Sequence, residues 1–282
     1  MKPWPGIRLL WMAVLLLGAC TTGRDEGGER EVAMLLDKGR AYLQRGNAEM
    51  ALFSLQRAQQ LQPHQVEVLT LLGLAYDRVD RPLQALESLQ AAQRLQPAGG
   101  ELNNNLGVAC LRVHALTCQN GTSEEGCRRL LEQAGAALQR ALADPALRAP
   151  EDVYYNLALL ARQRGEEEQK YLDLLLRALA IRPHFLAARL ALAESYRQMG
   201  RADLERQQLR QALAAYPDQV EVLQRLVESY RWSGKGAGRL LDGVTGQERL
   251  ELHTWLSRIQ ALSPGSEWAQ RAAQRRALLD EK

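Results

Sequence analysis

Between Val32 and Pro97 a 34-residue unit is written twice, and this repetition restricts the chain more than any other feature. In the first copy Gly39, Tyr42, Gly46, Ala51, Leu55, Ala58 and Pro63 stand at positions 8, 11, 15, 20, 24, 27 and 32 of the unit. The second copy starts at Val66 and repeats the pattern with Leu72, Gly73, Tyr76, Ala85, Leu89, Ala92 and Pro97. Each copy reads as helix, tight turn, helix. Small residues at positions 8, 20 and 27 let two helices approach, and larger ones at 7, 11 and 24 fill the space between them. The proline ends the second helix. One such unit cannot bury its apolar face alone, so copies must stack.

This order of small and large residues resembles the tetratricopeptide repeat (TPR), which implies an all-α superhelix, an α-solenoid of helix-turn-helix repeats. Followed along the chain, the pattern gives a third repeat from Gly100, with Leu106, Gly107 and Cys110 in its first helix. Its next trio, Ala134, Leu138 and Ala141, arrives 15 residues late, an excess assigned to the stretch around Thr117 to Arg128. A fourth repeat, Glu151 to Pro183, carries Leu157, Ala158, Ala161, Gly165, Leu175 and Ala178; it has one extra residue, and Tyr171 replaces the small residue of position 20. The fifth, Leu186 to Gln219, keeps strict spacing, but Glu205 stands where a small residue belongs and predicts looser packing of that pair. A sixth first helix, Val220 to Trp232, is followed by a break at Gly234-Lys235-Gly236-Ala237-Gly238 before Leu252, Leu256 and Ile259 resume. Ser266 caps a final helix running to about Asp280, whose Arg-rich face suits a solubilising end cap. The expectation is six helix pairs and a thirteenth helix within residues 32–282.

Composition agrees with helices: the chain has only two Phe and is rich in Leu, Ala, Arg, Gln and Glu. The first residues read differently. Lys2 and Arg8 form a short basic region, and Leu9 to Leu17 an apolar run too short to span a membrane. Leu17-Gly18-Ala19-Cys20 resembles a bacterial lipobox, which implies a signal peptide over 1–19 and a diacylated Cys20. An ordinary signal with a coincidental cysteine is the alternative. In lipoproteins of this kind an Asp after the cysteine retains the protein in the inner membrane, so Thr21 implies the outer one. Residues 20–31, polar with three glycines, read as the lipidated cysteine and a flexible tether. Without Lys2 and Arg8, 34 basic residues face 33 acidic ones, which gives no electrostatic case for nucleic acid.

Residues that carry chemistry are few. Cys118 and Cys127 flank the inserted stretch of the third repeat, and an exported protein meets oxidising conditions, so a disulfide is expected there, with two reduced thiols as the alternative. Cys110 holds a packing position and reads as an inert core thiol. The four His show no ligand spacing, so no metal site is expected. Lys235 in its glycine cluster is no P-loop, because Gly236 replaces the required Ser or Thr and Ser229 the first glycine. No catalytic set and no cofactor site stand out.

A binding face is the better candidate. In TPR arrays the residues at positions 2, 5, 9 and 12 of each first helix line the concave surface. Here they include Leu36, Arg40, Leu43, Leu74, Val108, Leu111, Tyr155 and Leu159, with Leu71 beside them. In the fifth and sixth repeats the face turns polar, and Glu194–Arg197 and Glu228–Arg231 are spaced to pair. An unoccupied apolar face of this extent implies a protein partner. The alternative is tight superhelical closure, with neighbouring repeats burying these leucines in each other. Leu36 and Arg40 stand where carboxylate-clamp TPRs need Lys and Asn, so an apolar or amphipathic segment is the expected ligand.

Lipobox, tether, six TPRs and a thirteenth helix together resemble the pilotin lipoproteins of type IV pilus machines. Asn104-Asn105-Leu106-Gly107 and Pro264-Gly265-Ser266 are reminiscent of stretches in that family. The resemblance implies an outer-membrane lipoprotein, facing the periplasm, that binds secretin subunits and promotes their multimerisation. Adaptors for cell-wall hydrolases and components of barrel-assembly complexes use the same scaffold and remain the alternative.

Overall fold

The computed structural model describes residues 26–118, 123–230, 232–233, 239–240 and 244–280. The signal segment, Cys20 and Thr21 lie outside these residues, as does the glycine cluster at 234–238. Thirteen helices are present among the described residues, with one two-residue β pair, Trp232–Ser233 with Arg239–Leu240. The fold is all-α, built of stacked TPR helix pairs. None of the described helices is long and apolar enough to cross a membrane.

The chain divides into two compact units, ending and beginning at Asp144 and Pro145. The first holds α1 (Glu26–Gln44), α2 (Ala48–Leu61), α3 (Val66–Arg78), α4 (Pro82–Leu95), α5 (Gly100–Thr117) and α6 (Glu124–Ala143). The second holds α7 (Pro150–Gln163), α8 (Glu168–Ile181), α9 (Leu186–Gln198), α10 (Ala202–Ala215), α11 (Val220–Glu228), α12 (Gly246–Leu262) and α13 (Glu267–Asp280).

Within each pair the repeat positions do what their sizes dictate. In the second repeat a Cβ on Gly73 would stand 2.5 Å from Leu89 Cγ, so the leucine of α4 sits in a hollow that only glycine leaves on α3. Gly39 with Leu55 and Gly107 with Leu138 repeat this arrangement. Ala51, Ala85 and Ala134 at position 20, and Ala58, Ala92 and Ala141 at position 27, are all fully buried. The turn between the helices needs a left-handed residue at position 15. Gly46, Gly165 and Gly200 supply it with φ of 76°, 64° and 70°, while Asp80 adopts φ 58° in the second repeat.

Four of the helix starts are fixed by side chains. Asn47 accepts from Met50 N, Ser123 from Gly126 N, and Thr245 and Glu248 form a reciprocal capping box. Ser266 accepts from Ala269 N at 3.1 Å and starts α13 as expected. Between the second and third repeats, buried Asn103 donates to Pro97 O (2.7 Å) and Gly99 O (2.9 Å) and accepts from Arg140 Nε (3.1 Å). Every polar atom of that side chain is thereby engaged, which ties the turn before α5 to both helices of the third repeat.

Three boundaries differ from the sequence reading. Helix α1 begins at Glu26, so residues 26–31, assigned to the tether, are helical. Glu29 and Glu31 favour a helix N-terminus, and the apolar periodicity that marks α1 starts only at Val32. The excess of the third repeat lengthens both its helices, to 18 and 20 residues, rather than forming one long loop. Helix α11 stops at Glu228, short of Trp232, which instead enters the β pair.

Candidate protein-binding surface

The four positions expected to line one face fall on two stripes. Positions 5 and 12 are seven residues apart and share one stripe; positions 2 and 9 share another, rotated by about 60° at 3.6 residues per turn. In the first repeat the 5/12 stripe is interior. Leu36 is 4% and Leu43 7% exposed, both in the core cluster against which Leu71 and Leu74 of α3 pack. Arg78 on α3 donates to Leu43 O at 3.2 Å, which holds the next first helix over this end of α1. Leu111 in the third repeat is also buried, at 4%. Leu36 and Leu43 therefore belong to the packing between the first two repeats, and Leu111 too is withdrawn from the surface.

The 2/9 stripe keeps contact with solvent. In the first unit it presents Arg40, Leu74 and Val108, each half-buried, with Leu71 half-buried beside them. Arg40 donates to Asp37 at 2.8 Å and pairs with Glu67 of the next repeat. Arg112 donates to Asp77 Oδ1 (2.9 Å), Asp77 O (3.1 Å) and Asp80 (2.7 Å). The surface of the first unit is thus an apolar strip at Leu71, Leu74 and Val108 framed by ion pairs that cross from one repeat to the next.

In the second unit Tyr155 and Leu159 are half-buried on α7. The Tyr155 ring lies 5.2 Å from that of Phe185, tilted by 55°. Burial pushes its phenol above the ordinary tyrosine value, with Arg162 pulling the other way. Arg162 also donates to Tyr171 Oη at 3.2 Å, so the large residue that replaces a small one at position 20 is satisfied in the interior. Glu194 and Arg197 form the pair expected from their spacing, with Arg197 Nε donating to Glu194 Oε2 at 2.9 Å.

The sequence reading passed over Phe53, which is 73% exposed on α2 near exposed Met50. The signal was present: position 22 is Phe53 in the first repeat but Glu87 in the second and Gln207 in the fifth. An apolar residue off the packing stripe is visible only when the copies are compared position by position.

Cys118 caps α5 and Cys127 lies in the first turn of α6; the structure sets their Sγ atoms at bonding distance, 2.06 Å, with Cα atoms 5.7 Å apart. His114, one turn earlier, brings its imidazole within 4.8 Å of both sulfurs, a cluster that sequence spacing did not reveal. With the sulfurs joined to each other, that cluster has no thiolate to offer a metal ion. Cys110 is fully buried, and burial pushes its thiol up to about 12.

Two family profiles, each described as Tetratricopeptide repeat, match residues 32–65 and residues 186–229. No curated protein matches the chain. Among solved structures the chain is similar to PilW, described as a widely conserved type IV pilus biogenesis factor. That match has 18% identity and a TM-score of 0.63, covering 86% of this chain and 98% of that one. It is similar also to PilF of Pseudomonas aeruginosa, with 17% identity, a TM-score of 0.62, and coverage of 88% and 99%. A thermophilic TPR protein of Thermus thermophilus matches with 24% identity and a TM-score of 0.59, over 70% of this chain and 98% of its own. At these identities the likeness defines the fold, a TPR scaffold of the kind that mediates protein–protein interaction.

Proposed function

We propose that the chain is an outer-membrane lipoprotein, facing the periplasm, whose TPR array binds secretin subunits and promotes their multimerisation for a type IV pilus. The observation that carries this reading is the match over 98% of the length of PilW, a type IV pilus biogenesis factor. The leader that ends in Leu17-Gly18-Ala19-Cys20 supplies the anchor. Acyl chains on Cys20 confine the array to the membrane surface and raise its effective concentration near arriving subunits. The array works by binding and carries out no chemistry.

The contact surface in this reading is the accessible strip at Leu71, Leu74 and Val108, not the interior leucines beneath it. The strip shields an apolar or amphipathic segment of the unassembled secretin until neighbouring subunits displace the array. Leu74→Glu combined with Val108→Glu places two charges on the strip. Secretin multimers should then be lost while circular dichroism and membrane fractionation remain those of the wild type. Unchanged multimers in a folded, localised double mutant would rule out this surface. Unchanged multimers in a strain lacking the protein would rule out the function itself.

A further inference from the structure

In the fifth repeat the residue that departs at position 20 lines a pocket. Where Ala51, Ala85 and Ala134 close their helix pairs, Glu205 on α10 faces α9, and the residue is only 6% exposed. Glu205 lines a cavity of about 550 Å³ together with Ala193, Leu209, Glu194, Arg197, Arg225 and Glu228. Its size falls within the roughly 300–1,000 Å³ of ligand pockets.

The charges around it are already committed. Arg197 is held by Glu194 on its own helix, Arg225 by Glu221 at 2.9 Å, and Arg206 by Asp203 while stacking 4.8 Å from the Tyr230 ring. Among the described residues no hydrogen bond or ion pair is recorded for the Glu205 carboxylate. Burial raises its pKa above the ordinary glutamate value, although Arg197 pulls it back. A buried carboxylate that accepts no hydrogen bond is costly, and a cation that enters the pocket and donates to it removes that cost. An anion is disfavoured, because both lining arginines are neutralised and Glu205 repels it.

We infer that the Glu205 cavity is a binding site for a guanidinium or ammonium group on an aliphatic stem, presented as an Arg or Lys side chain by a partner polypeptide. The stem lies along Leu209 and Ala193, and the cationic head meets Glu205. The site lies on a different part of the chain from the apolar strip and does not depend on the partner being a secretin.

The test titrates the full-length protein in detergent with the peptide acetyl-Gly-Arg-Gly-amide, its citrulline analogue and agmatine, followed by calorimetry. The arginine peptide should bind in the millimolar range and the neutral citrulline peptide should not. Loss of one charge-assisted hydrogen bond should weaken the arginine peptide at least about tenfold in Glu205→Gln. Glu87→Gln, an exposed position in the first unit, should leave binding unchanged. Glu205→Ala restores the residue of the other repeats and serves as a second, well-packed variant that should also lose the peptide. Equal binding by wild type and both Glu205 variants, or none by the wild type, overturns the site. Binding of agmatine without the peptide overturns the polypeptide source.

Discussion

Gly73→Ala separates two opposing effects of comparable size. Replacing glycine by alanine inside a helix gains about 0.8–1.0 kcal/mol of propensity. Against it, the new Cβ would lie 2.5 Å from Leu89 Cγ, 2.9 Å from Cδ2 and 3.1 Å from Cδ1. Carbon atoms in contact prefer about 3.5–4.0 Å, so the closest approach falls short by about 1 Å or more. Cγ is a single bond from the leucine Cβ and cannot swing away as a side-chain tip can, and Leu89 is 2% exposed with no free space beside it. Relief therefore requires α3 and α4 to move apart, an overpacking cost of about 2–3 kcal/mol. Clash wins, and Gly73→Ala should lower stability by about 1–2 kcal/mol in urea denaturation followed by far-ultraviolet circular dichroism. The sign reverses when the obstacle is removed. Leu89→Ala alone costs about 2–5 kcal/mol, and in that background Gly73→Ala should stabilise by about 1 kcal/mol. A Gly73→Ala effect of the same sign in both backgrounds would refute the knob-in-hollow account.

Asp80→Gly should stabilise by about 0.5–1 kcal/mol, since left-handed backbone costs an L residue about 1 kcal/mol or more and an exposed pair with Arg112 returns little; the thermal midpoint checks it. In a soluble form without Cys20, Ellman's reagent should find no reactive thiol in the native protein, one after unfolding (Cys110) and three after unfolding with reductant. Three thiols without reductant would exclude the Cys118–Cys127 bond. Closing so short a loop should contribute about 2–3 kcal/mol, read as the fall in urea midpoint on reduction. Because Glu205 has a raised folded pKa, its ionisation opposes folding. Its unfavourable contribution is absent below the ordinary glutamate value, grows as pH rises from there through the raised value, and is constant above. Glu205→Gln should remove that part of the pH profile, and identical profiles would show the carboxylate to be compensated.

Much of the architecture was legible because packing between paired helices is a matter of residue size at fixed spacing. Gly39, Gly73 and Gly107 can be matched with Leu55, Leu89 and Leu138 from spacing alone, and each match is a direct contact. Glu205 departs from the small-residue rule at position 20, and it lines a cavity. The binding face was less legible. Leu36 and Leu74 both look like apolar residues off the intra-pair stripe, yet one is core and the other half-exposed. Likewise His114, Cys118 and Cys127 converge across a helix end and a helix start that spacing alone does not bring together.

The sequence by itself determined that helices form, how they pair, where the left-handed turns fall and which residue types fill each pair. These depend on neighbours at fixed separation within one repeat, and a repeating pattern displays them directly. Only the tertiary structure decided which side of each first helix stays open. That depends on how one repeat is rotated against the next, an angle of about 40° separating buried Leu36 from accessible Arg40. Such an angle is set by contacts between repeats, and no spacing within a repeat encodes it.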